Sequence, residues 1–109
     1  MHLLVIKEAV YRAHPWVATS LYRGFSAAKA RAVDWLFGPG PARLQLPWLP
    51  EELARTRAVL GDDPLPYGVE TSQPTLTAFT RYAHEQGLTP TRLAVDALFA
   101  PNTLDEARE

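Results

Sequence analysis

Residues 15–37 form the longest uninterrupted helical pattern in this sequence, and any fold of the chain must bury one side of it. Apolar residues recur there at intervals of three and four, the spacing of one face of an α-helix. These residues are Trp16, Val17, Leu21, Phe25, Ala28, Ala32, Trp35 and Leu36. With proline in the first turn and glycine after the last, the pattern predicts a helix about 33 Å long over 15–37. The polar positions between them are expected to face water: Thr19, Arg23, Ser26, Lys29 and Asp34.

Shorter helical patterns, separated by proline and glycine, fill the rest of the chain. They predict helices over about 8–13, 50–60, 72–86 and 96–100, followed by a frayed polar tail over 101–109. His14-Pro15 ends the first of them, because the residue before a proline disfavours the α conformation. Gly61 and Gly87 suit the ends of the second and third. We therefore expect a single incomplete α/β lobe over 1–100, mostly helical.

The strand of this predicted lobe lies at the start of the chain, over residues 2–6. Four consecutive apolar residues at 3–6 are typical of a strand that is buried on both faces of a parallel sheet. The only other strand-like run, 43–46, is short and is stopped by Pro47. Because strands need neighbours to satisfy their backbone groups, we expect the pairing partner to be a missing N-terminal lobe or a second subunit. Alternatively, residues 3–6 form the buried first turn of a helix that runs through Arg12.

Composition narrows the function classes without selecting one. The chain has 109 residues, a net charge of -1 and no cysteine. The near-zero charge predicts no broad attraction to nucleic acid, and the absence of cysteine excludes disulfides and thiolate metal sites. No apolar run approaches the roughly 20 residues that span a bilayer, and no signal-peptide pattern is present. We expect a cytoplasmic protein that has no membrane span.

The residue types that commonly carry chemistry do not form a recognisable motif. His2, His14 and His84 are far apart and lack the spacing of metal ligands. Asp62 and Asp63 are adjacent on a loop, where side chains diverge, so they do not predict an acid–base pair. We found no glycine-rich phosphate loop and no nucleophile elbow. The sequence predicts no metal site and no cofactor.

Several runs, taken in order, resemble the C-terminal part of 4,5-dihydroxyphthalate decarboxylase-like proteins. The runs are 1–6 (MHLLVI), 14–18 (HPWVA), 46–49 (LPWL), 61–63 (GDD), 66–70 (PYGVE), 81–88 (RYAHEQGL) and 98–101 (LFAP), together with Tyr11, Leu21-Tyr22, Phe25 and Ala27-Ala28-Lys29. The resemblance covers essentially the whole chain. It departs from the family pattern at Pro64-Leu65, where aromatic residues are expected.

The resemblance implies a fold, an activity and two site residues. The fold is a two-lobed α/β architecture similar to type II periplasmic binding proteins, of which this chain is the last third. The activity is loss of carbon dioxide from an aromatic dicarboxylate in phthalate breakdown, giving protocatechuate. We expect the chain to be inactive alone, and His2 and Tyr67 are the residues expected to line the ligand site.

Two other function classes remain open from the sequence. One is a C-terminal fragment of a solute-binding protein of an ABC transporter, which binds a small ligand without chemistry. The other is a small helical protein that buries its first apolar segment in a dimer.

Overall fold

The computed structural model describes residues 2–38 and 45–104, and all regular secondary structure in these residues is helical. The helices are α1 (Glu8–Ala13), α2 (Trp16–Phe37), α3 (Leu49–Leu60), α4 (Val69–Glu85) and α5 (Pro101–Leu104), with a 3₁₀ turn at Asp96–Leu98. Three segments of the sequence-based prediction lie wholly or partly outside the described residues: most of the Gly-Pro run after α2, the first half of the strand-like run 43–46, and the last five residues of the polar tail.

The prediction of an α/β fold is wrong for the described chain, because residues 2–6 are not a strand and no described residue belongs to a sheet. The alternative of a helix through residues 3–6 is also wrong, since α1 begins at Glu8. Leu3, Leu4 and Val5 are exposed at 56%, 60% and 87%. The physical reason is the lack of a pairing partner, without which an extended segment has no ladder to join. The periplasmic-binding-protein-like architecture is therefore not supported.

The chain divides into two compact units where the sequence predicted one lobe. Unit 1 comprises Met1–Arg23 and Tyr67–Glu109, and unit 2 comprises Gly24–Pro66. Helix α2 begins in unit 1 and ends in unit 2. The buried residues among those described all belong to unit 1, and they are Ala18, Leu76, Thr80 and Val95. The described part of unit 2 contains no buried residue.

The inward side of α2 agrees only in part with the apolar side that the sequence indicates, since Val17 and Leu21 are partly buried and most of the other predicted positions are exposed. Phe25 and Trp35 are exposed at 48% and 52%, whereas Ser26 and Lys29, expected to face water, are half-buried. Ala18, Ser26 and Lys29 each follow a predicted apolar position by a single residue, and one residue is about 100° of helix rotation. Polar partners explain part of this rotation, because Lys29 Nζ lies 2.6 Å from Asp63 Oδ2. An apolar stripe on α2 is left facing outward.

Helix α4 begins at Val69, three residues before the predicted start, and places Pro74 in its interior. Gly68 precedes it with φ 108°, a conformation that side chains rarely adopt. In the added first turn, the Thr71 hydroxyl donates to the carbonyl oxygens of Tyr67 and Gly68 at 3.1 and 3.3 Å. On the predicted stripe of α4, Leu76 is buried, whereas Phe79 is 58% exposed.

Charged side chains join the elements of unit 2. The Arg57 guanidinium lies over the Phe37 ring, 4.7 Å from its centroid, and its Nε is 3.1 Å from Asp62 Oδ1. Gly61, with φ 80°, ends α3 and donates its backbone N–H to the Arg57 carbonyl at 2.9 Å. The loop after α3 is thus connected to α2 and to the last turn of α3 through its two aspartates.

Candidate functional site

The first predicted site residue, His2, lies in the segment before α1. It is exposed, and it makes no hydrogen bond or ion pair with another described residue. The neighbouring Leu3 and Leu4 are also exposed, so no local wall encloses the imidazole. The His2 side chain is therefore exposed to solvent, in a segment without regular secondary structure.

The second predicted site residue, Tyr67, lies directly before α4 and is 44% exposed. The turn that holds it is well defined, because its carbonyl accepts the Thr71 hydroxyl and Gly68 follows in the left-handed half of backbone space. His2 and Tyr67 belong to the same unit but to separate segments. Contact of either residue with a ligand stays a prediction.

A polar cluster that the sequence does not reveal lies at the corner between α1 and α2. Asn102 of α5 is its centre: Tyr11 Oη donates to Asn102 Oδ1 at 3.0 Å. Asn102 Nδ2 donates to the Pro15 carbonyl at 2.9 Å and to Thr19 Oγ1 at 3.0 Å. These partners are 83 to 91 residues from Asn102 in sequence, and no local pattern connects them. Because the single amide of Asn102 bonds to two hydroxyls and one backbone carbonyl, the cluster is a structural joint.

Most of the charged residues named in the sequence analysis have partners. Asp63 pairs with Lys29 and Asp62 with Arg57, so the adjacent aspartates are joined to different cations and do not form an acid–base pair. Exposed pairs between Glu8 and Arg12 and between Arg81 and Glu85 lie along α1 and α4. Such pairs contribute little to stability, because water screens them.

The remaining histidines have local contacts. His14 meets the Trp16 ring edge-on with centroids 6.1 Å apart, at the entrance of α2. His84 Nδ1 lies 3.3 Å from the Thr89 carbonyl, within reach of a hydrogen bond at the end of α4. Among the described residues there is no group of three or more side chains that suits a metal ion. No described helix is both long and apolar enough to cross a membrane.

Comparison with known proteins gives one distant relationship. The chain is 29% identical over 105 residues to 4,5-dihydroxyphthalate decarboxylase of Comamonas testosteroni. The aligned part covers 96% of this chain and 32% of that enzyme, so the chain spans about a third of the length of its relative. No family model matches the sequence, and no solved structure matches it. The identity supports a distant relationship to a decarboxylase and says nothing about the fold.

Proposed function

We propose that this chain is part of a protein related to 4,5-dihydroxyphthalate decarboxylase and that it serves aromatic dicarboxylate decarboxylation only together with further polypeptide. The observation that carries the proposal is the match along 96% of the chain to about a third of the relative. A match over nearly all of the chain is hard to attribute to one shared local motif. Its limited share of the relative is the reason to expect that other segments complete the active site.

The chemistry explains why more polypeptide is needed. Decarboxylation of 4,5-dihydroxyphthalate breaks one bond from ring to carboxylate, releases carbon dioxide, and puts a proton on the ring carbon. Such a site needs cations or donors for the retained carboxylate, a sheltered place for the departing one, and an acid. His2 and Tyr67 are exposed, and Lys29 and Arg57 already pair with aspartates. We propose His2 and Tyr67 as residues that contact the substrate once the site is enclosed.

Exposed apolar residues are the second reason to expect a partner. Leu3, Leu4 and Val5 are more than half exposed, and so is Trp35 on the outward stripe of α2. Complete burial of Leu3, Leu4 and Val5 would add on the order of 1 to 2 kcal/mol each. We propose that a missing N-terminal portion of the protein or a second subunit covers residues 2–6.

A second candidate function follows from the helical structure and the same exposed stripe. A small helical protein that dimerises would bury the apolar side of α2 against its own copy. Light scattering on the isolated chain tests this candidate, which predicts a dimer with no bound aromatic acid. A monomer at micromolar concentration would contradict it.

The decarboxylase proposal is tested on the protein isolated from its own cells, with all polypeptide that co-purifies. Release of labelled carbon dioxide from carboxyl-labelled 4,5-dihydroxyphthalate is measured beside phthalate, which lacks both hydroxyls. We expect release from the dihydroxy substrate only. Binding of the dihydroxy substrate without release would contradict the enzyme hypothesis and support a solute-binding protein.

Paired variants test the two proposed contact residues in the same assay. Tyr67→Phe removes a hydroxyl that we expect to bond substrate, so kcat/KM should fall about tenfold. Tyr82→Phe is the matched control, since Tyr82 is 49% exposed and Tyr67 is 44% exposed. His2→Asn should reduce kcat/KM, with His84→Asn as its control. Equal kcat/KM values for Tyr67→Phe and Tyr82→Phe would contradict the proposal that Tyr67 contacts the substrate.

A further inference from the structure

One side chain, Asn102, joins the end of the described chain to its beginning. Its Oδ1 accepts from Tyr11 Oη at 3.0 Å, and its Nδ2 donates to the Pro15 carbonyl at 2.9 Å and Thr19 Oγ1 at 3.0 Å. Both hydrogens of the amide are therefore used, on two different acceptors. The three partners lie on α1, on the second of the two residues between α1 and α2, and on the first turn of α2.

The two helices that meet at Asn102 are too short to be stable by themselves. Helix α5 has four residues and α1 has six, whereas isolated helices shorter than about 12 residues are marginal in water. Inside α5, Thr103 bonds the Ala100 carbonyl through both its backbone N–H, at 2.9 Å, and its hydroxyl, at 2.7 Å. These local bonds shape α5 but do not attach it to α1. The Asn102 side chain makes that attachment.

We propose that Pro101–Leu104 is a strap, fastened by Asn102 across the corner between α1 and α2, and that the strap and α1 open and close as one unit. The helix break at His14-Pro15 permits this, because no backbone hydrogen-bond ladder runs continuously from α1 into α2. Opening exposes the Tyr11 hydroxyl, the Pro15 carbonyl and Thr19 Oγ1. This inference is independent of the proposed decarboxylase relationship.

The amide is chemically specific at this position. A carboxylate of nearly the same shape would place an oxygen where Nδ2 now lies, 2.9 Å from the Pro15 carbonyl oxygen. Two acceptors would then face each other without a hydrogen between them. Asn102→Asp therefore changes the donors while keeping the size of the side chain, which makes it a sharper test than truncation.

Hydrogen exchange of the full chain, followed by mass spectrometry as a function of urea, tests the strap. In the unmodified chain, amides in 8–14 and 101–104 should share one opening equilibrium with a small urea dependence, distinct from that of α4. Asn102→Asp should accelerate exchange in both segments about tenfold. Tyr11→Phe should accelerate both by a smaller factor, and Tyr22→Phe, whose hydroxyl has no described partner, should leave both unchanged.

Three results would overturn the strap. The first is different opening constants for 8–14 and 101–104 in the unmodified chain. The second is a urea dependence of both segments equal to that of α4, which would mean that they exchange only through unfolding of the whole unit. The third is unchanged exchange in both segments of Asn102→Asp. If Asn102→Asp fails to fold, the comparison of Tyr11→Phe with Tyr22→Phe replaces it in the third test, and equal exchange in these two variants would overturn the strap.

Discussion

Every buried residue of the described chain belongs to unit 1. The described part of unit 2 has no buried residue, and charged side chains make contacts between its own elements. In unit 1, Leu76 is 2% exposed, and the helix corner is closed by neutral amide and hydroxyl groups around Asn102. In unit 2, the contacts between elements include an ion pair of Lys29 with Asp63 and a cation–π contact of Arg57.

This difference shows what each unit needs for stability. Electrostatic screening has little effect on apolar burial and neutral hydrogen bonds, so we expect the stability of unit 1 to change little with salt. Ion pairs at a surface are weak and screened, so unit 2 has little intrinsic stability. The outward apolar stripe of α2, which includes Phe25 and Trp35, leaves apolar surface of α2 exposed.

The largest expected effect is loss of the buried leucine of unit 1. Leu76→Ala should lower the free energy of unfolding by about 2 to 5 kcal/mol, because it removes buried methyl groups and leaves a cavity. Leu88→Ala is the matched control, since Leu88 lies in the same unit but is 75% exposed. It should cost no more than about 0.5 kcal/mol. Urea denaturation followed by circular dichroism measures both, and equal midpoints would remove Leu76 as the centre of the core.

Gly24 lies within α2 and Gly38 directly follows it, and substitution of each by alanine is expected to change stability in opposite directions. A Cβ at Gly38 would collide with the backbone carbonyl of Asp34, so Gly38→Ala should destabilise by about 1 kcal/mol or more. A Cβ at Gly24 would meet no atom, so Gly24→Ala should stabilise by about 0.5 to 1 kcal/mol through better helix propensity. Thermal midpoints compare the two variants. Equal shifts of the two thermal midpoints, with the same sign, would contradict the placement of the end of α2 before Gly38.

The smallest expected effect concerns the ion pairs of unit 2. The Lys29 side chain is 18% exposed in its pair with Asp63, so Asp63→Asn should cost about 1 kcal/mol. Asp62→Asn is the control, because Asp62 is 92% exposed and should cost less than about 0.5 kcal/mol. Stability measured between 0.1 and 1 M salt should show the Asp63→Asn effect shrinking. A salt-independent effect would contradict the electrostatic difference between the units.

The positions of α1, α2 and α3 follow from local chemistry, which is why the sequence indicates them. The prediction is wrong near the end, where Asp96–Leu98 is only a 3₁₀ turn and α5 lies in the segment predicted to be a frayed tail. Pro15 and Gly38 bracket α2, since proline suits a first turn and glycine suits the residue after a helix. The start predicted for α4, at residue 72, is three residues too late, because a proline such as Pro74 is typical of a first turn. The structure extends the helix by one turn, in which the Thr71 hydroxyl bonds two carbonyl oxygens.

The features that the sequence does not reveal are those set by distant partners. The only basis for predicting a strand at residues 2–6 is their apolar content. A strand also needs a neighbouring strand, which apolar content does not provide. The inward face of α2 differs from the apolar face by about one residue, because Lys29 and Thr19 meet partners far along the chain. Asn102 belongs to no motif, and only the folded corner of α1 and α2 gives it a role.

The most direct test of the account compares hydrogen exchange of the isolated chain with that of the same chain in its native assembly. The account predicts that amides of residues 2–6 and of α3 exchange rapidly in the isolated chain and become protected in the assembly, while α4 is protected in both. Rapid exchange is expected because residues 2–6 make no hydrogen bond to another described residue and α3 contains no buried residue. Equal protection of residues 2–6 and α3 in both samples would contradict the claim that this chain needs further polypeptide to complete its structure and its site.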